Sequence, residues 1–282
     1  MSADFGIATT ELCITLGQKR WRADLANGAD LSLPLRFDGP QPVFFGAEPA
    51  SAQTIEAGAF IGDIRRGGSV NCSRYSLTPH CNGTHTECVG HITREPVNVR
   101  TLAPRELIPA VLLSVTPTSF ALTSERSGEA SQPGDRLITR ADLQAASERA
   151  HAPIAGGAIV LRTLPNGEEK QTRNHDLALP AYLSGEAAAW LIEHDTRHLI
   201  VDLPSIDRAS DNGQLMAHRI FWGMPAGSTQ ARAATRASST ITELAYIDDA
   251  LIDGLYLLNL QVAPFEADAA PSRPILYPLV AA

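Results

Sequence analysis

Residues Pro79–His91 read PHCNGTHTECVGH. Three of the chain's eight histidines, two of its four cysteines and a glutamate fall within these thirteen residues, a density of metal-capable side chains that core packing seldom produces. If the run GTHTECVGH is extended, side chains alternate, and His85, Glu87 and His91 share one face. A histidine and a carboxylate two residues apart on one face can hold a single ion. Imidazole with carboxylate suits zinc or manganese, and the two oxygens of Glu87 allow it to bridge two ions. The bland reading is a solvated polar strand with paired histidines. It suits one isolated histidine better than three histidines and a glutamate at this spacing.

Other chemistries fail on missing parts. His85-x-Glu87 opens a zinc-deaminase signature, but that chemistry needs a later Pro-Cys-x-x-Cys and no cysteine follows Cys88. No His-Glu-x-x-His, Gly-x-Ser-x-Gly or Gly-x-x-x-x-Gly-Lys occurs, so a metalloprotease helix, an esterase elbow and a phosphate loop are all absent.

The 282 residues are 44% hydrophobic and 19% charged, enough to bury a substantial core without staples. A net charge of −8 argues against nucleic acid or an anionic membrane as partner and leaves a small-molecule substrate. The first residues, MSADFGIATTELCITLG, lack a basic start and apolar run, and no stretch approaches the ~18 apolar residues of a membrane span; a cytoplasmic location is expected. Four cysteines without a Cys-x-x-Cys pair read as reduced thiols. Cys13 in ELCITL and Cys72 in SVNCSRY are expected to be small buried hydrophobes.

The first third, with ADLSLPLRF, PVFFG and SVNCSRYSL, reads as strands and long loops. Thr139 then caps a helix with Leu143 and Ala146 inward, GGAIVLRTL is a buried strand, Ser184 caps a helix burying Ala187, Trp190 and Leu191, and RHLIVDLPSID is another buried strand. Strand, helix, strand in that order is an α/β unit. LYLLNLQVA is a further strand, and Met224–Ser239, small and polar, reads as an inserted surface loop or lid. No repeat or composition shift divides the chain, so residues 1–282 are expected to form one domain.

The quoted stretch resembles the His-x-Gly-Thr-His-x-Asp-x-Pro-x-His signature of the cyclase family of metal-dependent hydrolases, which includes bacterial kynurenine formamidase. DLSLPL, VFFGAEPA, LSGEAAAWLIEHDTRHLIVDLPSID, AHRIFWG and ITELAYID resemble the family's other segments. The resemblance implies an α/β fold of swivelling β/β/α type, a central barrel-like mixed sheet flanked by helices, assembled as a homodimer or homotetramer. It implies His80, His85, Glu87, His218 and Glu243 as ligands of one or two zinc or manganese ions, and His91 as the proton-transfer residue. The first ligand has two candidates. Strict alternation selects Cys81, four residues before His85; the Pro79–His80 pair selects His80, with a bulge at Asn82–Gly83 absorbing the extra residue. We assign His80, with Cys81 the alternative. Glu87 replaces the family's Asp, Val89 replaces its Pro, and the Met224–Ser239 insertion separates His218 from Glu243.

The implied activity is hydrolysis of an amide-type bond in an aryl formamide, cyclic amide or lactone by metal-activated water. The alternative is a non-catalytic metal- or small-ligand-binding protein on the same scaffold. His151, His194 and His198 read as residues at helix ends, Asp202 and Asp207 as carboxylates that support the ligands or the scaffold, and Phe44, Phe45 and Trp222 as packing.

Overall fold

The computed structural model describes residues 11–128, 131–152 and 156–282; the first ten residues, included in the stretch read above for a leader, lie outside them. Three apolar runs and the short TITE segment become adjacent parallel strands: Ile108–Val115, Gly157–Thr163, Thr196–Val201 and Thr240–Glu243. Val160 faces Leu112 on one side and Ile200 on the other. Three antiparallel strands then close the sheet. His85–Glu87 pairs with Thr240–Glu243 and with the start of the last strand, Ala269–Ala281. That strand pairs onward with Gly254–Val262, which returns to Ile108–Val115. The result is a closed mixed sheet of seven strands, the barrel-like core expected of the fold. A hairpin, Glu11–Leu16 with Lys19–Asp24, extends it from the far end of the last strand.

Closure gives every central strand two buried faces, which is why these strands read as continuous apolar runs. Alternation divides them. Ala110, Leu112, Ala158, Val160, Ile200 and Leu258 pack together on the inner face. Val111, Leu113, Ile159, Leu161, Leu199 and Val201 meet helices on the other. Helix Arg140–Ala150 buries Leu143 and Ala146 there, and Gly185–Glu193 buries Ala187, Trp190 and Leu191. Both start as expected. Thr139 and Asp142 form a reciprocal capping box, and Ser184 Oγ accepts from Ala187 N at 3.0 Å.

Four expectations are corrected. Cys13 and Cys72 are exposed: Leu12, Ile14 and Leu16 take the packed face of their strand, and one-residue alternation turns Cys13 outward. His198 is not at a helix end but inside a central strand, where its Nδ1 lies 2.9 Å from Thr240 Oγ1. The Met224–Ser239 segment is no lid. Ala233, Ala234 and Ala237 pack on the helix-side core, Arg236 donates to Phe221 O, and nothing from this segment lines the cavity described below. Among the described residues, no helix is long and apolar enough to cross a membrane.

Candidate metal centre

The closing strand carries the site. His85 stands directly opposite Glu243 and Glu87 opposite Ile241, so these side chains share the helix-side face. Thr86 and Thr242 point the other way and meet at 2.7 Å between hydroxyls. Glu243 is oriented by the Ile206 amide, which donates to Oε1 at 2.8 Å.

His80 reaches the same place by a different route from the one the spacing predicts. Pro79–Asn82 is one helical turn, not a bulge: the amides of Cys81 and Asn82 both donate to Thr78 O, and Asn82 Oδ1 accepts from Thr78 N at 2.6 Å. Gly83 has φ 175, ordinary extended backbone, so no left-handed glycine is used. Helical geometry separates neighbouring side chains by about 100° and lets residue 80, rather than 81, face Glu87. Cys81 is buried, and burial, with the charges of Asp176 and Glu243, pushes its thiol up to about 11. It joins no candidate ligand group among the described residues.

The five expected ligands converge. Glu87 is fully buried; its Oε1 lies 2.8 Å from His218 Nε2, and its Oε2 lies 3.2 Å from His80 Nδ1 and 3.8 Å from His91 Nδ1. His85 Nε2 is 3.5 Å from Glu243 Oε2, and His218 Nε2 is 3.7 Å from Glu243 Oε1. His218 comes from the short helix Met216–Phe221. Asp207 fixes it, accepting from His218 Nδ1 at 2.6 Å and from the amides of Ala217 and His218 at 2.7 and 3.0 Å. Asp207 therefore supports a candidate ligand, whereas Asp202 supports the scaffold, pairing with buried Lys170 at 2.8 Å.

Burial alone would discharge these groups, but their mutual attraction wins. Burial opposes the Glu87 charge, yet His91 and His218 hold that carboxyl well below its usual range. It opposes a charged His218 as well, and Glu87 and Asp207 raise that ring well above its ordinary value. His80 is likewise pushed up to about 10, with Asp268 and Glu87 outweighing burial.

The donor set fits a divalent cation. Two buried atoms at its heart, His85 Nε2 and Glu87 Oε2, make no hydrogen bond, whereas buried polar atoms are ordinarily paired. His80, His85 and Glu87 can present ligand atoms within 4.8 Å of one another, as can Glu87, His91 and His218. Imidazole with carboxylate oxygen suits zinc or manganese.

His91 lies at the rim, on a 3-10 turn, Val89–Ile92, that follows the strand. The extended reading therefore ends at Glu87. A Cβ on Gly90 would stand 2.4 Å from Val97 O, so only glycine permits this turn its close packing. The His91 ring is 4.3 Å from that of His80, centroid to centroid, and it lines a cavity of about 510 Å³ together with His80, His218 and Glu243. Phe44 and Phe45, expected to be packing residues, form part of that wall. Phe45 has φ 58 and is 71% exposed, and the Asp176 carboxylate accepts from the amides of Phe45 and Gly46. Trp222 is buried behind His218, as a packing residue.

One site residue had no sequence signal. Asp268 Oδ2 lies 3.0 Å from His80 Nε2 and 3.5 Å from His91 Nδ1, and the two rings hold its carboxyl well below the usual range. It precedes the last strand in an unremarkable acidic loop, and only the pairing of that strand with His85–Glu87 brings it here.

No curated protein matches this chain. Solved structures do. Isatin hydrolase A from Labrenzia aggregata, bound to benzyl benzoate, is 17% identical over 91% of this chain and 94% of that one, with a TM-score of 0.61. Isatin hydrolase A from Ralstonia solanacearum is 19% identical over 90% and 92%, with a TM-score of 0.59. A predicted metal-dependent hydrolase from Bacillus stearothermophilus is 19% identical over 89% and 98%, with a TM-score of 0.53. At these identities the likeness is one of fold. The sequence itself carries the relationship further: residues 29–208, from the short strand Ala29–Asp30, which pairs with the last strand, through the histidine-rich turn to Asp207 and Arg208, match the model of the Cyclase family, and the chain belongs to it.

Proposed function

We propose that this protein is a metal-dependent hydrolase of an amide-type bond in an aromatic substrate. The observation that carries the reading is the pair of partnerless buried atoms, His85 Nε2 and Glu87 Oε2, in a ring of imidazoles and carboxylates that opens on a cavity. His80, His85, Glu87, His218 and Glu243 would hold zinc or manganese. Such an ion, when bound, acidifies a water and polarises a carbonyl oxygen.

The chain's own residues supply the rest. Asp207 keeps His218 protonated on Nδ1, so that Nε2 faces inward, and Gly83 O accepts from His85 Nδ1 at 3.0 Å with the same result. His91 has its Nδ1 toward Asp268 and Glu87, leaving Nε2 to exchange a proton with the leaving nitrogen or oxygen of a substrate in the cavity it lines. Phe44 and Phe45, ring centroids 5.8 Å apart, form an apolar wall suited to an aryl ring. Isatin, named in two of the similar structures, is a cyclic aryl amide and fits that class.

The test is elemental analysis of the purified protein, followed by turnover of aryl formamides, cyclic aryl amides and lactones with and without chelator. Turnover of an amide that chelation abolishes and zinc or manganese restores is expected. A protein that binds either ion but turns over none of the panel supports the non-catalytic alternative.

A further inference from the structure

We propose that Asp268 is a positioning residue of the metal centre, selecting the nitrogen that His80 turns toward the ion. The inference rests on the metal-site reading above. Each buried ring of the cluster has one nitrogen engaged by the protein and one facing the carboxylates. In His85 the outer partner is Gly83 O, on Nδ1, and Nε2 points to Glu243. In His218 it is Asp207, again on Nδ1, and Nε2 points to Glu87.

His80 is reversed. Its Nε2 meets Asp268 Oδ2 at 3.0 Å, and its Nδ1 lies 3.2 Å from Glu87 Oε2, so the ring is inserted between two carboxylates. An N–H on Nε2, bonded to Asp268, leaves the Nδ1 lone pair for a cation shared with Glu87. This reversal accompanies the irregular spacing of five residues between His80 and His85: the helical turn at Pro79–Asn82 brings the ring in from the side of the last strand. Asp268 is anchored there by backbone, since Cys88 N donates to Asp268 O at 2.9 Å and Glu87 pairs with Ala269. Its carboxylate also stands 3.5 Å from His91 Nδ1, so one residue contacts both half-buried rings of the cluster.

The experiment measures zinc affinity of the metal-free protein by chelator competition, for wild type, Asp268→Ala, Asp268→Asn, His80→Ala and the His80→Ala/Asp268→Ala double variant. A carboxylate orienting a ligand histidine is typically worth about 10- to 100-fold in metal affinity. Asp268→Ala is expected to lose that much. Asp268→Asn, whose amide oxygen still accepts a hydrogen bond, should lose less, and the double variant should bind no more weakly than His80→Ala. A further loss in the double variant would make Asp268 a direct ligand and overturn the assignment, as would unchanged affinity in Asp268→Ala. Nitrogen chemical shifts of the wild-type zinc-loaded protein provide a check that needs no variant: a His80 that holds the ion through Nε2 and carries its proton on Nδ1 refutes the proposal. Wild-type protein that binds neither zinc nor manganese brings down the metal-site reading itself, an outcome distinct from tight binding that is indifferent to Asp268.

Discussion

Replacing Asp207 with alanine probes both the stability of the scaffold and the poise of the site. Asp207 is 5% exposed and accepts three hydrogen bonds, from the amides of Ala217 and His218 and from His218 Nδ1. The Met216–Phe221 helix has no side-chain cap of its own, because Leu215 precedes it with φ 49, so Asp207 acts as its cap from ten residues away. Losing a cap costs about 1 kcal/mol. Losing a hydrogen bond to a charged group costs about 1.5–3 kcal/mol. The sum, roughly 2.5–4 kcal/mol, corresponds to a fall in melting temperature of roughly 5–15 °C at ~2–4 °C per kcal/mol. In the same variant His218 can protonate either nitrogen, and zinc affinity should fall by about 10- to 100-fold. Thermal denaturation of the metal-free protein reads the first effect and chelator competition the second. Asp207→Asn should recover part of the stability through its remaining acceptor. A melting temperature within about 2 °C of wild type, with unchanged zinc affinity, would refute the reasoning, since it would mean that neither the helix start nor the tautomer depends on this carboxylate.

His91→Ala should keep its metal and fold while losing turnover by about 10²- to 10⁴-fold, the usual worth of general acid–base help; loss of the ion instead would make His91 a ligand. His80→Ala should lower metal content sharply and Cys81→Ser should not, and the reverse pattern in elemental analysis would restore the thiolate as first ligand. Burial holds His175 and His198 down to about 4, so below their ordinary value of 6.5 the unfolded chain takes up protons that the folded one refuses. Stability is therefore lost as pH falls from about 7 toward 4, by roughly 2 kcal/mol per histidine between pH 7 and 5 at 1.36 kcal/mol per pKa unit. Urea midpoints at the two pH values check this, and a His175→Gln/His198→Gln double variant with the same pH slope as wild type would contradict it.

Local pattern was enough for the elements whose burial is periodic. The capping box at Thr139, the Ser184 helix with Trp190 and Leu191 inward, and the apolar strands from Gly157, Thr196 and Gly254 follow from side-chain spacing and hydrogen bonds within a few residues. Candidate ligands were legible too, because His85, Glu87, His218 and Glu243 sit in segments that resemble one family's signature, and the fold brings these four side chains together. Alternation failed where the chain changed geometry. His80 sits on a helical turn and His91 on a 3-10 turn, and neither period is visible in a run of polar residues without an apolar face to mark it. Cys13 turns outward because its neighbours Leu12 and Ile14 take the packed face.

The sequence by itself determined which residue types could meet a cation and which runs would be buried. Only the tertiary structure decided which atoms face one another. Closure of the barrel pairs residues 85–87 with 240–243 on one side and with 269–271 on the other, and so places His85 beside Glu243 and brings Asp268 to His80 across 188 positions of chain. Strand pairing at such separations is set by the burial of whole faces over the entire sheet, a global condition to which a lone aspartate contributes no periodic signal. The placement of His80 rather than Cys81 beside Glu87 has the same origin, because one turn of helix packed against the last strand rotates the imidazole to Glu87 while the thiol stays buried outside the candidate ligand cluster.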